Sequence, residues 1–346
     1  MAVSSQGRSS GSLQQQLAAL AAELDRHDHG DIAVKLLENL VSISRSEADR
    51  LDWEILHGAL SDISKAFEVF HPGRAQRKVS VFGSSRTDPD HPVYAQCEAL
   101  ALALVQGGFD VLTGAGNGVM EAANKGAGPG RSYGLDIHLP FEQAVNRYIE
   151  SAPRLITFRH FFTRKLFFLR ESDGLVVMPG GFGTLDELFE ALTLIQTAKT
   201  PPIPVVLLAP RGDDYWLSWQ HYVNSALCRR GMISHEDHTI YRLLDSVEGA
   251  VTHIARFHRV FHACRFDGNR LQMLLNLAPS DTQLAWVNHN FADLLLRGSI
   301  EAGRTSTAQG TLATLEFWFD MRHMGRLYAL IDHLNSWPAD RQLAAA

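Results

Sequence analysis

The 346-residue sequence predicts an α/β protein built on a doubly wound, mostly parallel sheet, with a helical N-terminal appendage and a small α+β C-terminal unit. Three observations predict it. Short apolar, β-branched runs alternate with helical apolar periods at lengths that suit parallel strand-helix-strand units. Glycine-bearing turns follow the strand-like runs at Gly83-Ser84, over residues 114–118 and over residues 180–184, and ligands of such sheets sit beyond the carboxyl ends of the strands. The sharpest case is Gly174-Leu175-Val176-Val177, which meets Pro179-Gly180-Gly181 and turns into an apolar-periodic acidic segment, as a buried strand passing into a helix would.

Taken in order, residues 1–12 are rich in Ser and Gly and read as disordered. Helical spacing follows to about residue 70: Leu17, Leu20 and Leu24, then Val34, Leu37, Leu40 and Val41, then Leu56, Leu60, Ile63 and Phe67. Two or three helices result, suited to packing or subunit contact. His71-Pro72-Gly73 breaks the pattern, so the appendage is expected to span residues 1–75. Residues 78–82 begin the sheet with a strand that runs into a small-residue turn, and residues 92–106 form a helix ended by Gly107-Gly108. Strands are expected at 109–113, 133–139, 155–158, 174–177 and 203–208, with helices at 120–125, 160–172 and 215–228 and one after the Pro-Gly-Gly turn. These make a Rossmann-like domain over residues 76–235. Beyond residue 236 the character changes. Residues 260–266 and 271–275 flank Asp267-Gly268-Asn269, a hairpin signal. A helical pattern through Trp286, Phe291, Leu294 and Leu295 follows, then a strand at 314–319 and a helix at 324–334.

Composition narrows the function. A hydrophobic fraction of 45% supplies a core for two or three units, and the net charge of -6 argues against a nucleic-acid partner. The cysteines Cys97, Cys228 and Cys264 are odd in number and far apart, so a reduced, cytoplasmic setting is the simplest expectation. The first residues lack an apolar leader and no run is long enough to span a bilayer, so no membrane partner is expected. The 16 histidines show neither His-Glu-x-x-His nor Cys-x-x-Cys company; no metal and no other cofactor is expected.

The Pro-Gly-Gly turn has the outline of a phosphate site. Gly180, Gly181 and Gly183 let backbone approach an anion, Thr184 caps the helix or donates its hydroxyl, and the helix start offers unpaired N–H groups. Glu187 is expected in the first helical turn, where it either complements the dipole or faces a substrate. The string Pro179-Gly180-Gly181-Phe182-Gly183-Thr184-Leu185-Asp186-Glu187 resembles the PGGxGTxxE signature of the LONELY GUY (LOG) family, whose characterised members are nucleoside 5′-monophosphate phosphoribohydrolases. Thr163-Arg164-Lys165 resembles the family's Arg-Lys pair, and Thr113-Gly114-Ala115-Gly116-Asn117-Gly118 its glycine turn, in the family's order over residues 76–230. The turn departs from the commoner Gly-Gly-Gly-x-Gly at Ala115, whose methyl bears on backbone approach there. Leu139-Pro140-Phe141-Glu142-Gln143 resembles a segment of the longer bacterial-type relatives.

The resemblance implies hydrolysis of the N-glycosidic bond of a purine nucleoside 5′-monophosphate, with AMP or N6-modified AMP as substrate, by a homodimer or higher homo-oligomer. It implies that Arg164 and Glu187 are the catalytic pair. A carboxylate near C1′ stabilises an oxocarbenium-like transition state, and an arginine clamps phosphate or ribose by paired hydrogen bonds. Gly83, Ser84, Gly114, Gly116, Gly118, Glu121, Lys165, Gly180, Gly181, Gly183 and Thr184 are the candidate substrate contacts. Without the motif match, Arg164 reads as a surface arginine and Glu121 equally as a helix-start residue answering the dipole. One of Phe158, Phe161, Phe162, Phe167 and Phe168 could stack on the base, the others filling the core. The competing reading is a carrier or sensor of a nucleotide or pterin-type cofactor on the same fold; retention of both Arg164 and Glu187 favours the enzyme. A lysine decarboxylase fits poorly, since no local pattern supplies a Schiff-base lysine and a pyridinium partner.

Overall fold

The computed structural model describes residues 10–139, 144–307 and 310–338, so the segment at 140–143 that resembles longer relatives lies outside the described residues. The chain forms two compact units, Met1–Leu60 and Ser61–Ala346. In the first, α1 (Ser10–Leu24) packs with α2 (Gly30–Ser44), and α3 (Arg50–Phe70) begins. Helix α1 already starts at Ser10, inside the stretch expected to be disordered. The boundary falls within α3 rather than after residue 75, because Ala66 and Phe70 on its last turns are buried in the core of the second unit.

The second unit holds a parallel sheet of seven strands: β1 (Lys78–Phe82), β2 (Asp110–Thr113), β3 (Ser132–Ile137), β4 (Leu155–Phe158), β5 (Gly174–Val177), β6 (Val205–Leu208) and β7 (Tyr241–Leu244), in the order β4-β3-β2-β1-β5-β6-β7. The chain builds outward from β1 to β4, then returns to lay β5 on the other side of β1, with Val79 opposite Gly174 and Phe82 opposite Val177. The topological switch point is therefore the crevice between the ends of β1 and β5, the place where such sheets bind ligands.

Central strands are buried on both faces, which is why they read as unbroken apolar runs. Val79, Val81, Val111, Val176 and Val206 point to one core, shared with α4 (Pro92–Gln106), α5 (Val119–Ala127) and α9 (Val247–Phe257). Leu112, Leu175, Val177, Val205 and Leu207 point to the other, with α6 (Phe161–Arg170), α7 (Phe182–Gln196) and α8 (Tyr215–Tyr222). Helix α4 starts where the sequence places it: Pro92 opens it, and His91 Nδ1 accepts from the Val93 N–H at 3.2 Å.

A boundary at residue 235 is not observed. Strand β7 and helix α9 extend the parallel sheet, and β7 escaped notice because it is a four-residue edge strand with only Tyr241 fully buried. The chain then forms an antiparallel sheet from β8 (Phe261–Asp267), β9 (Arg270–Leu275), β10 (Leu295–Thr307) and β11 (Gly310–Phe319), ordered β10-β11-β9-β8. The expected hairpin is there, with Asp267 opposite Arg270 and Gly268 at φ 53°. Leu295, expected to be helical, instead opens β10: α10 (Asp281–Asn290) is closed at its start by a Ser280–Gln283 capping box and stops before it. Strand β10 carries no apolar period because it is an edge strand, mostly exposed. Helix α11 (Met324–Leu334) buries Leu327, Leu330, Ile331 and Leu334 in the same core as β5 and β6, and Tyr328 Oη donates to Ile203 O at 2.7 Å.

Candidate active site

At the switch point lies a cavity of about 760 Å³. Its walls are the turn after β1 (Gly83, Ser84, Ser85, Arg86), Gly114 after β2, the end of β3 (Asp136, Ile137, Leu139), Phe161, Arg164 and Phe168 of α6, and Gly180 to Glu187 around the start of α7. Four separate strand ends and three helices, with Met120 of α5 among them, thus converge on one space.

The turn expected to hold a phosphate lies at this cavity. Gly181 is the N-cap of α7 and makes no side-chain cap, so the first N–H groups of the helix stay open toward the cavity. An anion at such a site gains about 0.3–1 kcal/mol from the dipole alone. Thr184 is not the cap; the helix begins at Phe182 and Thr184 sits buried in its first turn. The turns after β1 and β5 are tied together, Ser84 N donating to Pro179 O at 3.1 Å. A Cβ on Gly180 would collide with the Thr184 side chain and stand 2.9 Å from Ser84 N, so glycine is what lets the turn fold against both the start of α7 and the turn after β1. Tyr215 Oη, which no sequence motif flagged, donates to Gly180 O at 2.6 Å and steadies the loop from the far side.

Glu187 sits in the second turn of α7, not the first, because the helix starts earlier than Thr184. The dipole reading loses its basis there, since that effect fades within the first turn. Its side chain is 12% exposed and lines the cavity. Burial pushes its carboxyl up to about 7, against the opposing pull of Lys165 and Arg164 and with help from Glu190 and Asp186.

Arg164 is held rigidly. Its Nε donates to Leu135 O at 2.7 Å, its Nη2 to Gly114 O at 3.2 Å, and its guanidinium lies 5.2 Å from the Phe168 ring centre. Burial lowers its pKa from the ordinary value, opposed by the charges of Glu187 and Asp136. The helix that carries it is anchored by Asp62 of α3, whose Oδ2 accepts from Arg159 N at 3.0 Å, His160 N at 3.2 Å and Thr163 Oγ1 at 2.8 Å. Ninety-seven or more residues separate these partners, so no local motif could reveal the anchor.

Of the expected contacts, Gly83, Ser84, Gly114, Arg164, Gly180, Gly181, Gly183, Thr184 and Glu187 meet at the cavity. Four do not line it. Lys165 lies behind Glu187, 3.9 Å away, and pairs with Asp186 at 2.7 Å and Glu190 at 2.6 Å. Against the penalty of burial, those carboxylates hold its ammonium above the ordinary value. Glu121 lies in the first turn of α5, 3.8 Å from Arg147, in keeping with its dipole reading. Gly116 and Gly118 belong to scaffold: Asn146 Nδ2 donates to the carbonyls of Ala115 and Gly116, and Val119 N to Ser84 O. Ala115 adopts φ 61° and is fully buried, its methyl turned toward Gly134 and away from the cavity. The glycine turn therefore contributes Gly114 to the cavity rather than an anion cradle. Of the phenylalanines around Arg164, Phe161 and Phe168 line the cavity, Phe158 and Phe167 are core, and Phe162 faces another cavity. Asp136, Arg86 and Met120 also line it without having been expected; for Asp136 the available signal was its place at the carboxyl end of a parallel strand.

The chain matches known proteins over this region. Residues 119–254 match the family model described as "Possible lysine decarboxylase". The chain is 27% identical over 165 residues to the pyrimidine/purine nucleotide 5′-monophosphate nucleosidase of Escherichia coli, a match covering 45% of this chain and 36% of that protein. It thus spans about a third of the length of that relative. The cytokinin riboside 5′-monophosphate phosphoribohydrolase LOG2 of Arabidopsis thaliana is 30% identical over 154 residues, covering 44% of this chain and 70% of the relative. Among solved structures, the molybdenum cofactor binding protein from Rippkaea orientalis is similar at 22% identity and a TM-score of 0.37, covering 51% of this chain and 93% of the other. With the signature residues gathered at the switch point and most of a plant relative's length matched, the chain belongs to the LONELY GUY family.

Proposed function

We propose that the protein hydrolyses the N-glycosidic bond of a nucleoside 5′-monophosphate, releasing free base and ribose 5-phosphate. The observation that carries the reading is one cavity in which an uncapped helix start, a rigid arginine and a buried carboxyl with pKa about 7 face one another. In this reading the phosphate rests on the open N–H groups at Gly181 to Thr184, and Arg164 orients the sugar. As the C1′–N bond breaks, its electron pair leaves with the base, which takes up a proton. Positive charge builds on C1′ and the ring oxygen, and the Glu187 carboxylate stabilises it and takes a proton from the water that attacks C1′. A base has the apolar wall of Met120, Ile137 and Leu139 and the ring of Phe161 to lie against. AMP and N6-modified AMP are the proposed substrates; one relative is named for pyrimidine and purine nucleotide 5′-monophosphates and another for cytokinin riboside 5′-monophosphates. Among the described residues no lysine lines this cavity, which speaks against a Schiff-base decarboxylase there.

The test is a panel of nucleoside monophosphates assayed for released base. Glu187→Gln is expected to lose release while keeping nucleotide binding, and Arg164→Ala to weaken both. A wild-type protein that binds one nucleotide tightly and releases nothing from any would make it a carrier instead.

A further inference from the structure

We propose that Asp136 reads the sugar of the substrate by accepting a hydrogen bond from the ribose 2′-hydroxyl, so that the site selects ribonucleotides over 2′-deoxyribonucleotides. The inference rests on the nucleoside-monophosphate reading of the site and names the determinant of its sugar specificity.

Asp136 stands near the carboxyl end of β3, next to Leu135, whose carbonyl receives Arg164 Nε at 2.7 Å. Its partly buried side chain lines the same cavity as Arg164 and Glu187. Among the described residues no hydrogen bond or ion pair reaches its carboxylate. Arg164 feels the charge of both Glu187 and Asp136, which come to it from different elements. Yet the guanidinium spends two of its donors on backbone carbonyls, at Leu135 and Gly114. Asp136 is thus an acceptor-only group on a cavity wall with room for donors and none supplied.

A nucleoside monophosphate offers few donors to fill that place. Its phosphate is an acceptor and is repelled by a carboxylate. With the phosphate at the start of α7 and Glu187 at C1′, a second carboxylate beside the same guanidinium meets the neighbouring carbon, C2′, and its hydroxyl. A hydroxyl bound to a charged acceptor contributes enough for roughly 10- to 100-fold discrimination against the analogue lacking it.

The experiment uses the full chain as wild type, Asp136→Asn and Asp136→Ala, with AMP, 2′-deoxy-AMP and IMP, measuring kcat/KM for base release and Kd by calorimetry. Wild type is expected to favour AMP over 2′-deoxy-AMP by roughly 10- to 100-fold. Asp136→Ala is expected to lower kcat/KM and affinity for AMP and IMP by about that factor and to leave 2′-deoxy-AMP nearly unchanged, closing the gap. Asp136→Asn, close in shape and still an acceptor through its amide oxygen, should fall between. An equal loss with AMP and 2′-deoxy-AMP overturns the proposal, as does a loss that follows the 6-amino group and spares IMP. Should wild type release base from nothing, the hydrolase reading falls, and the Kd ratio of AMP to 2′-deoxy-AMP still decides the role of Asp136.

Discussion

At the scale of single residues, the site holds a tension between folding and chemistry that Glu187 makes measurable. Its carboxyl is raised from 4.5 to about 7 in the folded protein. Between those values the folded state keeps the proton and the unfolded chain does not, so stability is highest below the lower value and falls as pH rises to 7. At 1.36 kcal/mol per unit the loss is roughly 3 kcal/mol. Glu187→Gln is therefore expected to be more stable than wild type by about 2–3 kcal/mol at pH 8 and little changed at pH 4, by urea unfolding at both. A variant no more stable at pH 8 would contradict this account of the carboxyl. Activity should run the other way, kcat rising through pH 7 as the carboxylate forms. Gly114 is the second such residue. A Cβ there would collide with Arg164 Nη2 and stand 2.7 Å from Met120 Sδ. Both are side-chain ends, not backbone, so Gly114→Ala should displace the guanidinium from its carbonyl partners rather than unfold the protein. A loss of roughly 10- to 100-fold in kcat is expected, with little change in Tm.

Elements matter because α6 and α7 must present their residues at fixed angles. The start of α6 depends on Asp62, a buried carboxylate with three donors directed at one oxygen. Asp62→Ala leaves buried donors unpaired and is expected to cost about 2–3 kcal/mol, and to lower kcat because Arg164 follows in the same turn region. Asp62→Asn, which keeps an acceptor, should recover most of both; chemical unfolding and base release measured together check it. If Asp62→Ala lost stability but not activity, Arg164 would be held by its two carbonyl partners alone. How much of this was legible differs by element. Strands β1, β2, β5 and β6 show themselves as apolar runs since both their faces are buried. Strands β7 and β10 do not, being edge strands with exposed positions. The start of α7 was read three residues late, at a Thr184 cap instead of Gly181, because Phe182, 95% exposed, carries no helical period.

For the whole molecule, the C-terminal residues are part of the second compact unit rather than an appendage to it. Helix α11 closes the core that β5, β6 and α7 share, and Arg77 Nη2 donates to His262 O at 3.1 Å across the join. A chain ending at residue 258 is therefore expected to lose cooperative unfolding and base release, followed by near-UV circular dichroism and the nucleotide assay. A truncated chain that folds and turns over like the full one would restore the separate unit that composition alone implies. No helix among the described residues is long and apolar enough to cross a membrane.

What the sequence determined by itself is whatever is encoded locally. The fold class follows from alternating periods, the switch-point turns from glycine after a strand, and the family from three short motifs, because each depends on residues within a few positions of one another. Tertiary structure alone decided which motif residues meet. It set Lys165 behind the carboxyl it adjoins, turned Ala115 and Gly116 into scaffold, and brought Asp62, Tyr215 and Asp136 to the site. Those contacts join residues far apart in the chain, and whether a charged side chain faces cavity, partner or solvent depends on burial that no local pattern records.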